Sequence, residues 1–240
     1  MLRKALPNNS RVKLIVCDMA GTTINEKGIV YKTLLNTFQG RGYPVDETQL
    51  KPWYGAQKSQ VISHFMNKYE SPKFDRSTIR KKMESSFNEN LKEHYFNHNN
   101  ISLVDENIPE IFEEIRKKDI KIALNTGYSK EMQEQIINHL HMKDYIDDYI
   151  SSEEVHRGRP SHFMIHKLMN NLNIDSSKEV IKIGDTRNDI LEGLNARCCL
   201  SLGVLSGADN KTTLFHAGAQ YVLNNVTNLP LLLTPQNPHT

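Results

Sequence analysis

Three cysteines, one tryptophan and a formal charge of only +2 among 240 residues mark this chain first by what it lacks. Three thiols cannot close a disulfide framework. Cys17 inside one apolar run, and Cys198 and Cys199 beside another, read as buried, reduced residues. A charge so near zero leaves no electrostatic footprint for nucleic acid or an anionic membrane surface. No apolar run approaches the roughly 20 residues needed to cross a bilayer. Met1 to Ser10 hold no apolar signal-peptide core, so the expectation is a cytoplasmic protein without a secretory signal. Internal repeats and low-complexity tracts are missing. So are Gly-x-Gly-x-x-Gly and Gly-x-x-x-x-Gly-Lys, and nucleotide cofactors are therefore not indicated.

What is present is an ordinary globular composition, 38% hydrophobic and 24% charged. Its length suits one full α/β domain with a smaller insert. The run Val12–Cys17 predicts a buried strand. From Lys32 to His98 no strand is convincing: Ile79, Met83, Phe87 and Leu91 recur every four residues as one stripe of a long polar helix. Pro44, Pro52 and Pro72 divide the rest into a bundle of three or four helices. After Val104 the chain alternates. Ile108, Ile111, Phe112 and Ile115 predict a helix face, and Ile120–Leu124 a strand. Ser129 is the N-cap of a helix to His139. A short strand over Tyr145–Ile150 precedes a helix through Phe163, Ile165, Leu168 and Met169. Strand Val180–Ile183, helix Asn188–Ala196 and strand Cys198–Val204 follow, and the tail after Pro235 reads as disordered. This pattern predicts an α/β fold, a doubly wound parallel sheet with right-handed crossovers and an inserted α-helical domain.

Four short motifs sit at predicted strand ends, where open α/β sheets bind ligands. They are Asp18-Met19-Ala20-Gly21-Thr22-Thr23, Asn125-Thr126-Gly127, Gly158-Arg159-Pro160 and Gly184-Asp185-Thr186-Arg187-Asn188-Asp189. Asp18 is the natural nucleophile toward phosphorus. Asp185 and the Ala20 carbonyl complete with Asp18 a hard oxygen site for Mg²⁺, and Asp189 can hold metal-bound waters. Thr126 and the amides after it can bind phosphate oxygens, with Arg159 as a fixed positive charge. Gly21 and Gly127 let the backbone approach a phosphate closely, beside Thr22 and Tyr128. The histidine pairs His162/His166 and His94/His98 have zinc-compatible spacing but no third ligand, and read as helix-surface residues.

This set resembles the haloacid dehalogenase superfamily. Asp18 matches its first motif, Thr126 the second, Arg159 the basic third, and Asp185 with Asp189 the fourth, over about residues 12 to 204. The resemblance implies a Rossmann-like core from residues 1–31 and 99–240, with a helical cap over 32–98. It also implies Mg²⁺-dependent hydrolysis through an aspartyl-phosphate. Ala20 refines it, because most phosphatases of the superfamily carry a second Asp there as general acid and base. Asp-x-Ala-Gly-Thr instead resembles the phosphonatase group, which hydrolyses phosphonoacetaldehyde. In that group a cap lysine forms an imine that absorbs the electrons of the breaking C–P bond, so no alkoxide needs an acid.

Lys51-Pro52-Trp53-Tyr54-Gly55-Ala56-Gln57-Lys58 resembles the corresponding cap segment, with Gly55 before the lysine and Lys58 as the imine residue. Tyr54 and Val61 stand where phosphonatases usually carry a methionine and a histidine. Three roles remain open for Lys58: imine formation, electrostatic binding of substrate, or an uninvolved surface charge. The functional expectation is therefore C–P hydrolysis. Phosphate monoester hydrolysis stands as an alternative, and a non-catalytic metabolite-binding protein as another. The expected partner is a small phosphorylated or phosphonate substrate, not nucleic acid or membrane, and a homodimer remains open.

Overall fold

A computed structural model describes residues 12–71 and 73–233. The expectations for Met1 to Ser10, for Pro72 and for the tail after Pro235 lie outside those residues. Strand β1 (Leu14–Asp18) is the apolar run of the sequence, buried throughout. A turn leads to β2 (Ile24–Asn25), and four helices follow: α1 (Ile29–Gly40), α2 (Glu47–Leu50), α3 (Lys58–Tyr69) and α4 (Arg76–Lys92). The chain returns through β3 (Ser102–Leu103), α5 (Ile108–Arg116), β4 (Lys121–Thr126), α6 (Lys130–His139) and β5 (Asp148–Ser151). Then come α7 (Phe163–Asn171), β6 (Val180–Gly184), α8 (Arg187–Asn195), β7 (Leu200–Val204), α9 (Lys211–His216), β8 (Tyr221–Leu223) and α10 (Pro230–Leu233).

Six strands form one sheet in the order β5-β4-β1-β6-β7-β8, and every pairing is parallel. The core is thus the doubly wound α/β sheet that the strand–helix alternation predicts. Residues alternate across β1: Ile15 and Cys17 pack with α5 and α6, while Leu14 and Val16 pack with α7. Because β1 is central, its C-terminal residue Asp18 emerges between β4 and β6, at the point where strand order reverses. Two of the helices that flank this edge are capped by their own sequence. Ser129 accepts the Met132 amide at the start of α6. Thr186 and Asp189 exchange side-chain and backbone hydrogen bonds at the start of α8, a capping box.

The segment between β2 and β3 is helical. Met83, Phe87 and Leu91 bury the stripe of α4, and Phe38 of α1 meets Phe65 of α3 at 5.0 Å between ring centres. The two connections to the core are tied together. Ile24 pairs with Leu103 and Asn25 with Ser102 in an antiparallel ribbon, and the Val104 amide donates to Thr23. The expected boundary at residue 32 falls inside α1, which starts at Ile29. No helix among the described residues is long and apolar enough to cross a membrane.

Candidate active site

The C-terminal edge of the sheet and the loop before α3 converge on one small cavity. It is lined by Asp18, Ala20, Tyr31, Gly55, Lys58, Thr126, Gly127, Tyr128, Arg159, Asp185 and Thr186. The space inside is about 10 Å³, room for roughly one water molecule. A wider cleft of about 280 Å³ adjoins it, sharing Ala20, Tyr31 and Asp185 and continuing to Gly21, Glu26, Lys27 and Ser206. Of the site residues that the sequence singles out, all but Gly21, Thr22 and Asp189 line this cavity, and Gly21 lines the adjoining cleft.

Asp18, Asp185 and Asp189 are buried, and each offers an oxygen within 4.8 Å of the other two. Arg159 holds Asp18 through Nη1–Oδ1 at 2.6 Å and reaches Asp189 and Glu192 through Nε at 3.2 and 3.0 Å. It also donates from Nη2 to the Asn125 carbonyl at 2.8 Å. Asp185 accepts from the Thr22 hydroxyl at 3.4 Å and from the Ala208 amide at 2.7 Å. These surroundings separate three like groups. Burial raises the pKa of Asp18, against the pull of Arg159. Burial and repulsion by Asp18 and Asp189 push Asp185 well above the carboxylate range. Burial acts on Asp189 too, but Arg159 and Lys182 outweigh it and hold that group below its ordinary value.

Lys58 begins α3, and its Nζ donates to the Ala56 carbonyl at 2.9 Å. The ammonium faces the rings of Tyr31 and Tyr128, 5.6 and 5.8 Å from their centres. Burial depresses its pKa to about 8; nearby Asp18 opposes the shift and Arg159 adds to it. Two glycines set this approach. A side chain on Gly127 would strike the Ala56 carbonyl at 2.5 Å, and one on Gly55 (φ 78°) would strike the Thr186 hydroxyl at 2.3 Å. The Gly127 carbonyl accepts the Lys58 amide at 3.3 Å. Tyr54 stacks on Tyr31 at 3.7 Å, and the Tyr31 hydroxyl accepts the Gly55 amide at 2.9 Å. The Thr126 hydroxyl oxygen accepts the Tyr128 amide at 3.2 Å. Val61, one turn beyond Lys58, is fully buried.

Two charged residues behind the cavity, Lys182 and Glu192, were not anticipated, and Asn125 of the second motif joins them. Lys182, in the middle of β6 and fully buried, lies 2.9 Å from Asp189 Oδ1 and 3.6 Å from Glu192 Oε2, and donates to Asn125 Oδ1 at 2.9 Å. The Asn125 amide in turn donates to both Glu192 oxygens at 2.9 Å. The signal in the sequence was a lysine inside the apolar run Val180-Ile181-Lys182-Ile183, since a buried cation there requires a buried anion. Glu192 follows Asp189 by one helical turn on the same face of α8. The rings of His162 and His166 lie 4.5 Å apart, tilted by 47°, at the start of α7, and neither lines this cavity.

Residues 15–201 match the family model described as haloacid dehalogenase-like hydrolase. A phosphonoacetaldehyde hydrolase of Bacteroides fragilis is 26% identical over 256 residues, covering 93% of this chain and 96% of its own length. A phosphonoacetaldehyde hydrolase of Parabacteroides distasonis is 31% identical over 147 residues, covering 51% of this chain and 55% of its own. Among solved structures, a phosphonoacetaldehyde hydrolase-like protein from Oleispira antarctica superposes with a TM-score of 0.77 at 24% identity, over 95% of both chains.

Proposed function

We infer the reaction from one premise: the chain belongs to the haloacid dehalogenase-like hydrolase family and is a hydrolase. On that footing we propose C–P bond hydrolysis of phosphonoacetaldehyde or a close analogue, with Asp18 as nucleophile and Lys58 as the imine-forming lysine. The observation that carries this reading is that Lys58 and Asp18 line one cavity in which Ala20 provides no acid. A monoester phosphatase loses about 10²–10⁴-fold without general acid–base catalysis. An imine removes the need for it.

The steps follow from the chain's own groups. The neutral Lys58 amine adds to the aldehyde, and return of the proton that Lys58 gave up to the carbinolamine hydroxyl expels water and leaves a protonated imine. Asp18 attacks phosphorus; the C–P bond breaks and its electrons flow into the imine as an enamine. Protonation and hydrolysis of the enamine release acetaldehyde and free Lys58, and water cleaves the aspartyl-phosphate to phosphate. Arg159 fixes Asp18 for attack, and Thr126 with the backbone after it faces the phosphonate oxygens. The helices of residues 32–98 act as a cap that excludes bulk water, supported by the contact of Gly55 and Ala56 with Gly127 and Thr186.

The site fits a divalent cation. Four carboxylates are buried here, Asp18, Asp185, Asp189 and Glu192, and among the described residues Arg159 and Lys182 are the two cations that pair with three of them. Asp185 has no cationic partner among the described residues. Asp18, Asp185 and the Ala20 carbonyl would hold Mg²⁺, with Asp189 behind them. Bound there, it would neutralise charge between the nucleophile and an anionic substrate.

Incubation with phosphonoacetaldehyde and borohydride tests the reading. Inactivation with a mass adduct on Lys58, together with phosphate release in the absence of borohydride, supports it. Turnover of simple phosphate monoesters but not of the phosphonate would leave monoester hydrolysis with Lys58 as a point charge, and full activity of Lys58→Ala would leave it an uninvolved charge. Tight binding of a phosphometabolite without turnover would instead indicate a binding protein.

A further inference from the structure

Glu26 is a buried carboxylate outside the acidic cluster, and it is wired toward Lys58. Its Oε1 accepts the Gly28 amide at 3.1 Å, and its Oε2 accepts the Val30 amide at 2.8 Å, which places the anion at the first turn of α1. Oε2 also accepts the hydroxyl of Tyr95, at the end of the helical segment after α4, at 3.2 Å. The Tyr95 hydroxyl lies 2.8 Å from that of Tyr128, whose ring faces the Lys58 ammonium.

The direction of this chain follows from donor counting. A phenol has one proton to give. Tyr95 gives its proton to the carboxylate, so it can only accept from Tyr128. Tyr128 therefore donates to Tyr95, and its own oxygen keeps lone pairs free to accept a further proton, on a ring that faces the Lys58 ammonium. All three groups are buried. Val61 gives α3 no base one turn beyond the lysine.

We infer that the Tyr128–Tyr95–Glu26 chain is the proton relay of Lys58. This inference rests on the imine reading above. The relay takes the proton that Lys58 must lose before its nitrogen can form a bond to the aldehyde carbon. After addition, one of the two protons still on nitrogen passes to the new alkoxide, giving a neutral carbinolamine. The relay then returns its proton to the carbinolamine hydroxyl, the C–O bond breaks, and water leaves as the nitrogen lone pair forms the protonated imine. Three ammonium protons become one on the imine nitrogen and two on water, and no other reactant is needed. Burial raises Glu26 from its ordinary value, partly offset by the Val30 amide and Tyr95, which brings it nearer the depressed lysine. The other charged and titratable groups facing Lys58 are Asp18 from the end of β1, Asp189 from α8, Arg159 from the loop before α7, and Tyr31 from α1.

The relay is tested by single-turnover borohydride trapping with phosphonoacetaldehyde from pH 6 to 9, in the full chain and in Tyr95→Phe. The variant keeps the ring and the amide contacts of Glu26 but cuts the chain. The expected result is trapping slowed by about 10²-fold, the scale of one proton-transfer catalyst, with KM nearly unchanged and an altered pH profile. Glu26→Gln should match it, and combining the two should add little. Circular dichroism confirms that each variant is folded, and Glu26→Gln stands in if Tyr95→Phe is not. If the wild type itself is not trapped, the imine reading fails and takes the relay with it. If the wild type is trapped and the folded variants react within twofold of it with the same pH profile, the relay alone is overturned.

Discussion

Gly127 and Ala56 meet with no room between them: the hydrogen of Gly127 points at the Ala56 carbonyl, and a methyl group in its place would lie 2.5 Å from that oxygen. One residue follows a core strand and the other belongs to the helical insert, so their contact sets how close Lys58 comes to the sheet edge. Gly127→Ala should hold the insert away from Asp18. Misplacement of reacting groups by about 1 Å costs around 10²-fold, so kcat/KM should fall by that order. Thermal unfolding should move little, because the insert can shift as a body. An unchanged kcat/KM would show that the insert does not need this contact.

Lys58 gives opposite signs for activity and stability. Its folded-state pKa, pushed down by burial to about 8, lies below the 10.5 of an exposed lysine. On the proposed imine route the neutral amine is the nucleophile, so trapping should rise about tenfold per pH unit below 8 and level off above it. For stability, the unfolded chain binds the extra proton between pH 8 and 10.5, so the group penalises folding fully below 8 and not at all above 10.5. At pH 7 the penalty is on the order of 3 kcal/mol. Lys58→Met should therefore abolish trapping and raise the melting temperature at pH 7, with the gain fading toward pH 10. Equal gains at both pH values would contradict the charged-state origin.

Asp18→Asn should eliminate turnover while leaving the fold intact, since the amide can still accept from Arg159. Asp185→Ala should mainly raise the Mg²⁺ concentration needed for half-maximal rate. Phosphate release that persists undiminished after EDTA treatment and desalting would refute the metal requirement.

Removing Lys182 should be costly far from any substrate. Lys182→Met leaves Glu192 and Asp189 short of a counter-ion inside the protein, and breaking a buried pair from one side typically costs about 3–5 kcal/mol. Adding Glu192→Gln should recover part of the loss. Urea denaturation of the single and double variants measures both, and a single variant within about 0.5 kcal/mol of wild type would disprove the coupling.

The sheet was legible because strands buried on both faces read as unbroken apolar runs, as in Leu14-Ile15-Val16-Cys17. Boundaries shifted where burial continues past the pairing: Tyr145 and Ile146 are buried, yet β5 starts only at Asp148. β8 was missed because a three-residue edge strand, Tyr221-Val222-Leu223, is too short to show a period. The ribbon of β2 and β3 pairs two residues with partners 77 and 79 positions away, a contact no local pattern reveals. In the site, the motif carboxylates stood out because each follows a strand. Glu26 and Tyr95 did not, because neither belongs to a motif and only tertiary packing brings them to Tyr128. Asp189 serves twice, since it belongs to the acidic cluster and also closes the cap of α8.

The short ribbon has an architectural consequence. Ile24 faces Leu103 and Asn25 faces Ser102, so the chain leaves the core and re-enters it within one strand spacing, roughly 5 Å. Whatever lies between those points can be exchanged without rethreading the sheet, and loop closure grows only slowly with length. The C-terminal edge of the sheet is in effect a socket. A lineage can change what it recognises by replacing the helices plugged into it, while Asp18, Arg159 and Asp185 stay where the strands put them.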